Sequence, residues 1–285
     1  MTNGGSPREP TALESTGVGP LLRRWRESRH LTQLELALDA EVSTRHLSFV
    51  ESGRATPSRE MLLKLAGVLD VPLRERNLLL LAAGYAPLYR ETPLDDPRMA
   101  QVRAALELIL KQNEPRSALA FDRHWNIVMA NAAYVRFLTF VLGKPPAGLT
   151  PLELSLPSRW NLLHLIFDPK SIRRVIVNWE PIAKSLLDQA HRMVSWSRDE
   201  EMQKLVEAVL RYPGVPAHWR EPDLEAPRDL VLAFELDLGR GRIAKMFGTE
   251  TTLSTPQDVT LQELRIEAFH PADAQTEAMV FDVIG

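Results

Sequence analysis

Residues 32–51 read TQLELALDAEVSTRHLSFVE. Thr32 stands three residues before Glu35, the pairing of a capping box, so a helix is predicted to begin at Gln33. Leu36 and Ala37 face inward in that helix, and the small Ala37 lets a second helix cross closely. Ala40, Val42, Leu47 and Val50 complete the expected buried set. Ser43 is a favoured N-cap for the next helix, with Leu47 and Val50 on its inner face. Two short helices joined by a turn of three or four residues form the unit whose second helix enters the DNA major groove.

Outward from this core, helical patterning runs from Val18 to about Gly84. Leu21, Leu22 and Trp25 fall at helical spacing, with Arg23, Arg24, Arg26 and Arg29 over much of the remaining surface. Further runs cover 32–40, 44–51, 59–69 and 73–83, broken at Gly53, Pro57 and Pro72. Residues 1–16 read as a flexible leader and 17–84 as one five-helix domain. Pro87, Pro93 and Pro97 stiffen a connector over 85–112, whose end, 98–112, is predicted helical. Residues 113–285 form a second domain. Ser117–Phe121 and Trp125–Ala130 read as strands around the turn Asp122-Arg123-His124, and a helix over 131–142 ends at Gly143. After a Pro-rich loop at 144–157, helices are predicted over 160–167, 171–177, 181–196 and 199–210. Strands are placed near 230–238, 243–253, 259–268 and 277–284, where β-branched and aromatic residues alternate with polar ones. Tandem strands on short loops favour an antiparallel sheet, and the fold class is α+β.

The whole chain has 285 residues, enough for two domains with real cores. It contains no Cys, which excludes a disulfide scaffold, a thiolate metal site and cysteine catalysis, and suits a reducing cytoplasm, the expected location. The longest apolar run, Leu78–Ala83, is far too short to span a bilayer, and MTNGGSPREP at the start has no apolar signal region. The net charge of −3 argues against coating nucleic acid by charge alone. Segment 17–84 is weakly basic, with ten Lys and Arg against eight Asp and Glu.

Residues 18–83 resemble the Cro/repressor-type, XRE-like helix-turn-helix family, a lambda-repressor-like arrangement of five helices. The resemblance rests on Thr32-Gln33, Ala37, Val42-Ser43, Leu47-Ser48, Val50-Glu51, Gly53-Arg54 and Pro57-Ser58. Glu41 departs from it, since the family often has Gly in this turn. A left-handed non-Gly residue there would be strained by roughly 1–2 kcal/mol. The resemblance implies that Ser43, Thr44, Arg45 and Ser48 read bases in double-stranded DNA. Arg45 is the main candidate, because its planar fork matches guanine O6 and N7. It also implies that Gln33 bonds a phosphate and braces the recognition helix, and that Arg54, with His46, meets the backbone. One such helix reads few base pairs, so a homodimer is expected. The blander reading is a structural five-helix bundle; separately, the four arginines of 23–29 read as a solvated face, with a role in DNA contact as the alternative.

The run FDRHWNIVMANAAYVRFL at 121–138 resembles the entry to a PAS domain. With Trp125-Asn126, Asn131, Asn161-Leu162-Leu163, Phe167-Asp168-Pro169, Trp179 and the closing strands, the second half resembles MmyB-like transcription regulators. These join an XRE-type domain to a PAS-like ligand-binding domain. The resemblance implies a ligand-responsive regulator whose sheet and helical cover enclose a cavity. The apolar content of 160–196 favours a fatty-acid-like or other lipophilic ligand, since about ten methylenes gain roughly 8 kcal/mol on transfer before ordering costs. Candidate contacts are Asn131, Phe137, Arg159, Trp160, Asn161, Leu163, His164, Phe167, Trp179 and Met193, with Asn131, Arg159, Asn161 or His164 at the polar head. Each is also a plausible core or capping residue.

Enzyme readings find little support. The seven His show no HxxxH or HxH spacing, and no nucleophile elbow, phosphate-binding loop or dinucleotide fingerprint is present. Gly239 and Gly241 read as a hairpin turn, and Asp95-Asp96 and Glu200-Glu201 as a linker turn and a helix start. No catalytic residue, metal site or required cofactor is expected. The alternative function is a DNA-binding adaptor or antitoxin-like protein whose second domain binds a protein. An exposed apolar groove would favour that reading, and an enclosed cavity the sensor.

Overall fold

A computed structural model describes residues 17–197, 199–215, 219 and 231–284. The leader read over 1–16 lies outside them. The chain divides into two compact units. The first comprises residues 1–92 with 255–262, and the second 93–254 with 263–285.

The first unit begins with five helices: α1 (Val18–Ser28), α2 (Gln33–Asp39), α3 (Thr44–Glu51), α4 (Arg59–Val68) and α5 (Leu73–Ala82). Local chemistry starts them. Thr32 Oγ1 accepts from Glu35 N–H, and the Glu35 carboxylate accepts from Thr32 N–H at 2.7 Å, so the capping box is complete. Ser43 caps α3 and Ser58 caps α4. Glu41 has φ 53°, the left-handed conformation that a turn between α2 and α3 requires. Leu22, Leu36, Leu47, Val50 and Leu65 are wholly buried between the helices.

A polar network runs through this apolar core. Arg26 on α1 donates Nε to Glu51 Oε1 at 2.7 Å and Nη2 to Oε2 at 2.9 Å. Gln33 on α2 donates to the same Oε2 at 2.8 Å. The end of α3 is therefore pinned by both neighbouring helices. Gly19 lets α1 approach α3: a Cβ there would lie 2.3 Å from the Val50 carbonyl oxygen.

Residues beyond α5 stay attached to it. Asn77 donates to the Tyr89 carbonyl and accepts from the Leu88 and Tyr89 N–H groups. Thr92 donates its N–H and hydroxyl to Asp258, and Leu73 N–H donates to Gln262 at 2.6 Å. The segment 255–262, more than 160 positions later in the chain, thus belongs to the helical unit.

The second unit opens with α6 (Ala100–Gln112) and the hairpin β1 (Ala118–Phe121) and β2 (Ile127–Ala130). Asp122 ties the intervening turn by accepting from His124 and Asn126 N–H. Asn131 then caps α7 (Ala132–Leu142), which Gly143 ends in the left-handed conformation. The helices α8 (Leu162–Phe167), α9 (Trp179–Ser197) and α10 (Glu200–Leu210) follow. The chain closes with β3 (Phe234–Asp237), β4 (Ile243–Thr251), α11 (Val259–Glu263), β5 (Arg265–Pro271) and α12 (Ala274–Ile284). The five strands pair antiparallel in the order β2-β1-β5-β4-β3, a PAS-like sheet. Leu119 and Ile127 from the sheet pack into one core with Leu138, Leu163, Phe167 and Leu187 from the helices.

Three predicted elements differ. The strand placed at 277–284 is α12: Asp273 accepts from Thr276 N–H at 2.7 Å to start it, and Met279, Val280 and Val283 fall at helical spacing against the core. The strand placed at 259–268 begins late, because Asp258 accepts from Thr260 N–H and opens α11 instead. The helix placed at 171–177 is a single 3-10 turn over Ile172–Val175.

Gly19→Ala should lower stability by about 1–3 kcal/mol, since backbone must give way. Glu41→Gly should raise it by up to about 1 kcal/mol by relieving the left-handed residue. Urea denaturation of the two variants checks both signs.

Candidate nucleic-acid interface and ligand cavity

α3 has one face in the core and one in solvent. Leu47 and Val50 are wholly buried, whereas Ser43, Arg45 and His46 are exposed and Thr44 and Ser48 are half-buried. The Arg45 guanidinium lies 5.5 Å from the Phe49 ring centroid, a contact that steadies a long side chain on the open face. Arg54 is exposed in the turn after the helix. Gln33 is engaged with Glu51 and so braces α3. The arginines of α1 separate into different tasks. Arg23 pairs with Glu27 on the surface, Arg26 is the buried partner of Glu51, and Arg29 donates to the carbonyls of Leu69 and Asp70. The solvated-face reading therefore fits Arg23 but not Arg26.

The second unit contains a cavity of about 110 Å³ between the sheet and α7, α8 and α9. That is several times the space one water needs. Phe121, Trp125, Tyr134, Phe137, Phe234 and Phe269 give it an aromatic wall. Phe121 stacks on Trp125, and Phe269 meets Tyr134 and Phe234. Apolar groups from α8, α9, α12, β3 and β4 add to the lining.

Few polar groups reach this wall. Among the described residues they are Ser117, Tyr134, Gln189, Glu250 and Glu267, with no Lys, Arg or His. Strand alternation delivers the carboxyls: Glu250 on β4 stands directly opposite Glu267 on β5. Glu267 is half-buried and lines the cavity. Burial, with the charge of Glu250 added, pushes its carboxyl up to about 7. Gly248 leaves room for it, since a Cβ there would lie 2.7 Å from Glu267 Oε1. The Tyr134 hydroxyl is buried without a hydrogen-bond partner. Burial and Glu267 raise its pKa, so it stays neutral.

Of the residues expected to contact ligand, Phe137 lies on this wall. The others have structural positions elsewhere. Asn131 caps α7 and bonds the Leu110 and Arg116 carbonyls. Arg159 is exposed on a loop, and Trp160 donates its ring N–H to the Ala147 carbonyl. Asn161 caps α8 and reaches the His124 carbonyl. His164 meets the Tyr212 hydroxyl at 3.1 Å, and burial lowers its pKa. Leu163 and Phe167 are wholly buried core, Trp179 packs edge-on to Phe167, and Met193 lies half-buried on α9. Apolar content singled out the helices, whereas much of the wall comes from strands. Tyr134, Glu250, Glu267 and Phe269 were missed. The signal for Glu267 was present in RIEAFHP, where it occupies one of the alternating positions of a strand.

These two sites define a DNA-binding module joined to a small-molecule-binding module. Residues 102–280 match the model of the MmyB-like transcription regulator ligand binding domain, and residues 22–76 match a helix-turn-helix model. The chain belongs to the MmyB-like transcription regulators and is a ligand-regulated DNA-binding protein. Among solved structures, it is similar to the clp gene regulator ClgR from Corynebacterium glutamicum, at 27% identity over 38% of this chain and 99% of that one, with a TM-score of 0.22. It is also similar to a chain of the SinR protein/SinI protein complex, at 23% identity over 34% of this chain and 79% of that one, with a TM-score of 0.21. Comparison with curated proteins gives no match. Among the described residues no helix is long and apolar enough to cross a membrane.

Glu267 makes stability depend on pH. Its folded-state pKa lies above its ordinary value, so the folded chain holds the extra proton and stability falls as pH rises from about 4.5 to about 7. Glu267→Gln should remove that fall, leaving the variant about 1–3 kcal/mol more stable relative to wild type at pH 8 than at pH 4.5. Denaturation midpoints across this window measure the difference.

Proposed function

We propose that the protein is a homodimeric transcription regulator that reads an operator through α3 and responds to a lipophilic small molecule held in the cavity of its second unit. The observation that carries the reading is the division of α3, with its apolar side locked in the core and Ser43, Arg45 and His46 in solvent. In this reading Arg45 offers bidentate donors to guanine, Ser43, Thr44 and Ser48 flank it, and Gln33 and Arg54 are the residues assigned to the phosphate backbone. A dimer follows from the small reach of a single recognition helix and the weak basicity of the module. The aromatic and aliphatic wall suits the hydrocarbon chain of a fatty-acid-like or related lipophilic ligand and leaves its head group open. The recess is concave and partly open, and its aromatic and aliphatic lining favours this reading over the adaptor.

Ligand binding would act by population shift. A hundredfold difference in affinity between two states, about 2.7 kcal/mol, is enough to change operator occupancy strongly. The β4–β5 connection offers a covalent route. Both strands contribute to the cavity wall, and the segment between them is hydrogen-bonded into the helical unit through Asp258 and Gln262. Arg45→Ala should weaken binding to a selected operator by about 1–3 kcal/mol and relax base preference at one position per half-site. Footprinting that finds the variant unchanged overturns the assignment of α3.

A further inference from the structure

We infer that the cavity selects a lipophilic primary amine, whose ammonium sits between Glu267 and Tyr134 with its hydrocarbon part against the aromatic wall. The inference rests on the reading of the cavity as the ligand site and specifies the head group.

Three observations converge. First, the wall carries two carboxyls and no cation among the described residues. Glu250, which is exposed, is bonded by Arg265 at 3.3 Å, but half-buried Glu267 has no ion pair among the described residues. Arg265 itself is not part of the wall. An acid would bring a further negative charge to this pair, whereas an ammonium supplies the missing counter-charge. Second, Tyr134 lines the same wall, and its buried hydroxyl has no hydrogen-bond partner among the described residues. It can accept one N–H of an ammonium while Glu267 accepts another, which gives the hydroxyl a partner. Third, Trp125, Phe121, Phe137, Phe234 and Phe269 surround the remaining space, and aromatic faces attract cations that have left water. Gly248 fits this arrangement, because any side chain there would press on the Glu267 carboxyl.

The test titrates the full-length protein with n-octylamine, octanoic acid and octan-1-ol, which share a chain and differ in the head. Trp125 on the wall provides a fluorescence readout, checked by calorimetry. The amine should bind at least about tenfold more tightly than the acid. Glu267→Gln should cut amine affinity about tenfold and leave the alcohol within about twofold. Gly248→Ala, which displaces the carboxyl, should weaken the amine in the same direction, and Glu107→Gln on the exposed face of α6 should change nothing. Acid binding as tight as amine, or an amine preference that survives Glu267→Gln, overturns the head-group assignment while keeping the cavity as a ligand site. Absence of binding by all three compounds overturns the sensor reading as well.

Discussion

The pairing of β4 with β5 is the constraint on which the second unit depends. Its ladder runs from Met246 opposite Pro271 to Thr251 opposite Ile266. Side chains alternate along both strands, so this register alone decides which residues meet the cavity. A slip by one position would replace Glu267 and Phe269 with their neighbours Ile266 and Ala268. The wall would lose one of its two carboxyls and an aromatic ring together. β5 also pairs with β1, with Leu119 opposite Glu267, so the register is held from both sides. The position of this half-buried acid is thus fixed by backbone hydrogen bonds across three strands.

The helical unit solves a different problem. A recognition helix must keep its outer face free, so it can be held only from within and at its ends. Arg26 and Gln33 grip Glu51 at the last residue of α3, while Ser43 caps the first turn. A buried ion pair of this kind adds little net stability, because both ions lose water. Its value here is directional, since a bidentate guanidinium fixes an angle that apolar packing alone leaves loose. The close crossing at Gly19 works with it by bringing α1 against the α3 backbone.

Much of the fold was legible because its signals are local. Thr32 with Glu35, Ser43, Asn131 and Gly143 mark helix ends through their own short-range bonds, and each acts as its residue type predicts. The left-handed turn at Glu41 was also readable, as a departure from the expected glycine. The errors came where composition and capping disagreed. At 277–284 β-branched residues suggested a strand, but the Asp273 cap and the spacing of Met279, Val280 and Val283 prevailed. The candidate DNA-reading face could be named because it is one side of one helix. The cavity wall could not, because it is assembled from β1, α7, β4 and β5, and no local pattern encodes which strand neighbours which. Arg26 misled for a related reason: a cation in an arginine run gives no sign that its partner waits 25 residues away.

The excursion of residues 255–262 into the helical unit bears on how this architecture can be inherited and re-engineered. Modules strung on a single tether can be exchanged by one splice. Here the backbone leaves the sensor between two adjacent strands and returns to it, so a graft cut only at Pro93 would carry away a loop shaped for another reading head. A working chimera needs the hairpin connection to travel with the helices it binds.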